Sequence, residues 1–193
     1  MKVFETPLPG VLLIEPRLFR DSRGVLLEAW QAERYRREAG ISLPFVQDTV
    51  SRSGAGVLRG LHLQHPRAQG KLVLVLSGAV FDVAVDMRSD SPAFGRWFGA
   101  TLDADTARQM WVPPGFAHGF KVIGDHAVVL YKCTDVYAPE AEIGVAWDDP
   151  DIAIFWPEGA PVLSEKDRRL PRLADIPRHT LPRMADAGRG PVA

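Results

Sequence analysis

The sequence predicts an all-β sandwich or barrel, not alternating β/α units, on three observations. Segments of strand length recur along the chain with turn signals between them. One of them, residues 80–87, alternates strictly: Phe81, Val83, Val85 and Met87 point one way, and Asp82, Ala84 and Asp86 the other. The 16 prolines and 17 glycines supply the punctuation that many short strands need.

In chain order, residues 11–14 are a short apolar run closed by Pro16 and read as a first strand. The D-S-R-G turn at 21–24 leads into 25–30, which has strand character and carries Glu28. Residues 31–39 are charged, lack Gly and Pro, and stop at Gly40, the pattern of a short helix with a C-terminal glycine. Residues 45–50 set Gln47 and Asp48 among strand formers. The apolar run 71–76 ends in the turn signal Ser77-Gly78, so 71–76 and 80–87 are expected to form a half-buried hairpin with one polar face. A further strand spans 94–102, and 103–108 is a turn or short helix. Residues 127–132 are apolar and β-prone, with Val129, Tyr131 and Cys133 on one face, and 142–147 can form one more strand. No internal repeat stands out. The length suits a single domain, expected over 1–177, and the aperiodic stretch 178–193 is expected to be a mobile tail.

Composition narrows the partners. The formal net charge of −1 gives no broad basic field for nucleic acid or an anionic membrane, although a local arginine cluster can still hold a small anion. Cys133 is the single cysteine, so no intramolecular disulfide forms and a reducing, cytoplasmic setting is expected. The first ten residues hold an acidic residue and two prolines with no long apolar core after them, which fits neither a signal peptide nor a membrane span.

Two stretches concentrate the chemistry. In the first, Gly56 is followed after five residues by His62-Leu63-Gln64, then Lys71 and, after six intervening residues, Gly78. The second is Pro113-Pro114-Gly115-Phe116-Ala117-His118. Together they resemble the paired motifs of the cupins, small β-barrels of jelly-roll type. A metal-binding cupin would use three histidines and a glutamate. This chain keeps His62 and His118 but has Gln64 and Lys71 at the other two places, and an ammonium there repels a divalent cation. No metal or other cofactor is expected, and the chemistry falls to side chains.

The resemblance narrows further on seven landmarks in order: G-V-L-R-G-L-H-L-Q, Q-G-K-L-V, V-F-D-V-A-V-D-M-R, S-P-A-F-G-R-W, P-P-G-F-A-H-G-F, Y-K-C-T-D-V-Y and L-S-E-K-D. Spread between about Phe4 and Leu173, they resemble the dTDP-4-dehydrorhamnose 3,5-epimerase family. That family inverts the two carbons flanking the ketone of a thymidine-diphosphate-linked 6-deoxy-4-ketohexose. Such a reaction needs a base, a cation beside the developing enolate oxygen and an acid on the opposite ring face, and no redox cofactor.

The resemblance implies His62 as base, oriented by Asp167, and Tyr131 as the opposite-face acid. It implies Lys71 beside the C4 oxygen, Tyr137 stacked on thymine, and Arg23, Arg59 and Lys166 at nucleotide-contacting positions. His118 becomes a polar wall contact, and Glu28, Gln47 and Glu142 further contacts to nucleotide or sugar. Because early-chain contacts come from a neighbouring subunit in the family, a homodimer with shared sites is implied.

Two local readings remain open at this stage. Arg59 and His62 are three apart and face opposite sides of an unbroken strand, so Gly60 must bend the chain or a bulge must intervene. Ser164 and Asp167 also have capping-box spacing, so the carboxylate could serve a helix start instead of a histidine. The competing functions are a single-centre epimerase or ketoisomerase on a related sugar nucleotide, and a cupin that binds one without turnover.

Overall fold

Two long strands, β7 (Lys71–Asp86) and β10 (Phe116–Cys133), run antiparallel along their whole length in the computed structural model, which describes residues 1–186. Each half of each long strand has a different outer neighbour. The first half of β7 pairs β9 (Gln109–Val112), which continues to β2 (Leu12–Glu15) and β1 (Lys2–Glu5). The second half of β10 pairs β5 (Gln47–Gly54), completing that sheet. The other halves pair β8 (Trp97–Asp103) on one side, and β6 (Leu58–Gln64) followed by β11 (Glu142–Gly144) on the other. The two long strands therefore pass from one sheet to the other and fold them face to face, as strands do at the corners of sandwiches.

The apolar alternation decides what lies between the sheets. Val73, Val75, Val80, Met110, Phe116, Phe120, Val122, Ala127 and Val129 form one buried cluster drawn from both sheets. The outer face of one sheet is covered by α1 (Ala32–Ala39), whose Tyr35 packs with Ile14, Ile41, Leu72 and Trp111. The helix begins at Gln31 and ends at Gly40 in the left-handed region, as the charged, glycine-terminated segment predicts. The outer face of the other sheet packs Leu61, Leu63, Val83, Val85 and Met87 against Val145, Ile152, Ile176 and Leu181 of the later chain. Among the described residues, 11 strands and few short helices make this an all-β, cupin-like fold.

Several segment expectations change. The Ser77-Gly78 signal does not end a strand: Gly78 has φ of 74°, and a Cβ there would sit 2.0 Å from the His126 carbonyl oxygen. The chain bends at that point, with register slips against β10 on either side, while pairing continues. The polar side of 80–87 is not solvated, because Asp82 and Asp86 are fully buried. Asp86 instead accepts from Arg88 and Ser91, and Asp82 pairs with His118. Strand 25–30 shortens to β4 (Gly24–Leu27), which pairs β3 (Leu18–Asp21) in a separate two-stranded sheet. Strand 142–147 shortens to β11, and β1 had no clear sequence signal. Of the tail, residues 178–186 lie on the domain: Leu181 is buried, and the Ser89 and Met184 amides bond Pro182 O and the Asp90 carboxylate. The rest of that expected mobile segment, 187–193, lies outside the described residues. Among the described residues no helix is long and apolar enough to cross a membrane.

Candidate active site

Between the sheets lie two adjoining chambers of about 300 and 370 Å³. His62, Lys71, Tyr131, Tyr137 and Glu142 line both. Gln47 and Gln64 belong to the first; Arg59, His118, Lys166 and Asp167 belong to the second. Of the residues singled out from sequence, only Arg23 and Glu28 stand apart. Arg23 is exposed at the β3–β4 hairpin and pairs Asp21 at 2.6 Å; Glu28 pairs Arg34 at 2.7 Å.

The irregular register between β6 and β10 resolves the geometry of Arg59 and His62. His62 lies opposite His118, yet Arg59 lies opposite Phe120, so three steps on β6 match two on β10. That bulge brings both side chains to the same chamber. Gly60, with φ of 109°, makes it possible: a Cβ there would stand 2.7 Å from the His118 carbonyl oxygen and 2.8 Å from Gly119 Cα.

His62 Nε2 lies 2.7 Å from Asp167 Oδ1. An ionised carboxylate only accepts, so Nε2 carries a proton, and in the neutral imidazole Nδ1 is then the free base. Asp167 is carried by α2 (Glu165–Arg168), a single turn whose start is capped by the Ser164 hydroxyl, 3.0 Å from the Asp167 amide nitrogen. The two readings of this motif are compatible, since the serine caps the turn and the carboxylate is free to reach His62. Burial acts to raise the Asp167 carboxyl, but the hydrogen bond of His62, the positive charge His62 carries once it is protonated, the Ser164 hydrogen bond and the Lys166 charge outweigh it and hold it below the ordinary range.

Glu142 ties the mouth together. Its carboxylate accepts from the Tyr137 hydroxyl at 2.9 Å, pairs with Lys166, and lies 3.8 Å from His62 Nδ1. The Gln47 side chain accepts from the Tyr137 amide at 2.8 Å. Gln64 acts as a brace: its amide donates to the Arg67 and Val136 carbonyls and accepts from the Ala138 amide. Those bonds occupy the group that stands where a metal-binding cupin has a ligand.

Deeper in, burial pulls the Lys71 ammonium below its usual range, with Cys133, Glu142 and Asp82 acting against that shift. Its hydrogen bond is a long one, 3.4 Å to the His62 carbonyl, and among the described residues it has no ion pair within 4.0 Å. A desolvated cation so weakly engaged favours an anion arriving beside it. Tyr131 enters from the opposite sheet to His62, on the half of β10 paired with Thr49 of β5 and Val73 of β7. Burial and Cys133 raise its phenol while Arg59 opposes them, so it stays protonated and able to donate at neutral pH. The sequence reading did not single out Asp82, 2.8 Å from His118 Nε2, or Cys133 and Gln69 on the first chamber's wall. For Asp82 the available signal was its place on the polar side of the alternating strand.

A cupin-like barrel with a carboxylate-held histidine on one sheet and a protonated tyrosine on the other is equipped for proton transfer across a bound ligand. Residues 5–175 match the family described as dTDP-4-dehydrorhamnose 3,5-epimerase. A protein of that name from Pseudomonas aeruginosa is 51% identical over 176 residues, covering 91% of this chain and 97% of the relative. The crystal structure of a Legionella pneumophila dTDP-6-deoxy-D-glucose-3,5-epimerase, in complex with dTDP-4-keto-L-rhamnose, matches at TM-score 0.92 and 49% identity. That match covers 94% of this chain and 97% of the other. A 3'-monoepimerase from Streptomyces bikiniensis, in complex with dTDP-quinovose, matches at TM-score 0.87 and 35% identity, covering 94% and 93%. The chain belongs to the dTDP-4-dehydrorhamnose 3,5-epimerase family.

Proposed function

We propose that the protein inverts C3 and C5 of dTDP-4-dehydro-6-deoxy-D-glucose, giving dTDP-4-dehydro-L-rhamnose, a step of rhamnose biosynthesis. The observation that carries the reading is the entry of His62 and Tyr131 from opposing sheets into one cavity that also holds Lys71. His62 Nδ1 takes the acidic proton beside the ketone, and Asp167 stabilises the imidazolium that forms. The electron pair moves to the C4 oxygen, where Lys71 balances the enolate charge. Tyr131 then delivers a proton to the opposite face of the same carbon, inverting it, and solvent restores both groups. Repetition at the second flanking carbon completes the reaction.

Arg59 and Lys166 supply cations for the diphosphate, while Tyr137, Gln47, Glu142 and His118 contact the nucleotide and sugar. Arg23 and Glu28 act in the site of a second copy, which makes the working unit a homodimer. The β3–β4 hairpin supports this, since it forms its own small sheet and exposes Phe19, Val25 and Leu26. A cytoplasmic location fits a pathway that consumes a nucleotide sugar.

A single-centre epimerase is the second reading, favoured by the monoepimerase that shares the fold. Incubation with the 4-keto-6-deoxyglucose nucleotide in deuterated water separates the two. Two deuteriums with inversion at both carbons are expected; one deuterium supports the second reading, and none overturns the enzymatic assignment.

A further inference from the structure

Lys121 is an anomaly of the sandwich. Its neighbours Phe120 and Val122 point into the central core, so its own side chain leaves the opposite face of β10, yet the residue is only 3% exposed. The ammonium donates to three main-chain carbonyls: Pro157 at 2.6 Å, Glu158 at 3.1 Å and Gly159 at 2.6 Å. Three donors thus meet three acceptors, and among the described residues no carboxylate lies within 4.0 Å of it.

The segment held in this way leads directly into the site. Glu158, Gly159, Ala160 and Val162 are exposed and Pro157, Pro161 and Leu163 only half-buried, so no fully buried side chain holds the strap. Upstream, Trp156 is fixed by its indole bond to Trp147 O and its edge contact with Phe81. Downstream, Val162 exchanges backbone bonds with Gly56 and Leu58. Ser164 then caps the single turn that carries Asp167 to His62. Between Trp156 and Val162, the Lys121 ammonium is the anchor.

We infer that Lys121 is a positioning residue for the His62–Asp167 pair, acting through strap 157–163 and without touching a ligand. It rests on the proposed role of that pair in turnover, but its effect on the strap does not. Charge-assisted bonds to three successive carbonyls fix the strap's height above β10. Releasing them lets α2 move, and an error of about 1 Å in a base's partner can cost up to roughly a hundredfold in rate.

The test is Lys121→Met, which keeps the aliphatic stem and removes charge and donors, with Lys121→Gln as the milder change should the first not fold. Amide exchange at Val162 of the strap and at Asp167 and Arg168 of the turn it carries, the amides held by hydrogen bonds there, is expected to rise at least about tenfold while that of β7 stays unchanged, the pattern of local opening. The kcat should fall roughly tenfold to a hundredfold. In an Asp167→Asn background the same substitution should cost less than about twofold, because it acts through that carboxylate. Unchanged exchange in the strap overturns the inference, as does an equal rate loss in both backgrounds. Failure of the functional reading has a different signature: Asp167→Asn stays fully active while the strap still opens in Lys121→Met.

Discussion

Asp167→Asn keeps the shape of the side chain and removes its charge, which isolates what the carboxylate gives His62. The two groups are 2.7 Å apart, with the aspartate side chain 6% and the histidine 26% exposed. In the proposed reaction His62 takes a proton from the substrate, and a full positive charge then forms beside the carboxylate. At about 4 Å between charge centres and an effective dielectric constant of about 20, that attraction is worth about 4 kcal/mol. An amide oxygen accepting from Nε2 recovers about 1 kcal/mol. The difference of about 3 kcal/mol appears in the transition state and corresponds to a fall in kcat on the order of 10². The assay is single-turnover conversion of the ketosugar nucleotide, with deuterium wash-in measured alongside. Both should fall together, since the loss precedes the enolate. Stability gives an independent reading. A carboxyl held below its ordinary range contributes stability fully above the unfolded value of about 3.9, and loses it as pH falls through the lower folded value. The urea midpoint of the parent should therefore drop on acidification below about pH 4, with a flatter profile in Asp167→Asn. A variant within threefold of parental kcat would refute the reasoning.

Three further outcomes follow from the same geometry. Tyr131→Phe removes only the hydroxyl, so deuterium should wash in with retained configuration while inverted product falls on the order of 10²-fold; normal rates of inversion would rule out the acid role. Gly60→Ala should destabilise by about 2–4 kcal/mol in urea titration and lower kcat, because a Cβ meets backbone atoms in a left-handed conformation; a cost under about 0.5 kcal/mol would contradict the close approach. Sedimentation should give a dimer, and Leu26→Glu on the exposed hairpin should shift it toward monomer with loss of activity; a fully active monomer would sink the shared-site reading.

The sequence by itself determined the all-β class, helix α1, the family and the residue types gathered between the sheets. Those are properties of local pattern: period-two alternation, glycine stops, and motifs whose internal spacing is short. It also posed the Arg59–His62 problem correctly, because a period of two leaves no way for residues three apart to share a face without a bulge. What it could not decide was where strands end. Ser77-Gly78 reads as a turn, but a left-handed glycine also lets a strand bend while staying paired, and only the facing stretch 123–129 selects between them. The burial of Asp82 and Asp86 was likewise hidden, since alternation gives two sides and not what covers each. The same holds for Asp167, whose carboxylate is free for His62 because the Ser164 hydroxyl already caps its turn. Nothing in the sequence sets Lys121 apart; three carbonyls from a segment 36 to 38 positions later make it an anchor. Such pairings between distant parts of the chain have no local sequence signal, because they exist only once the two sheets have closed and the later chain has folded across them.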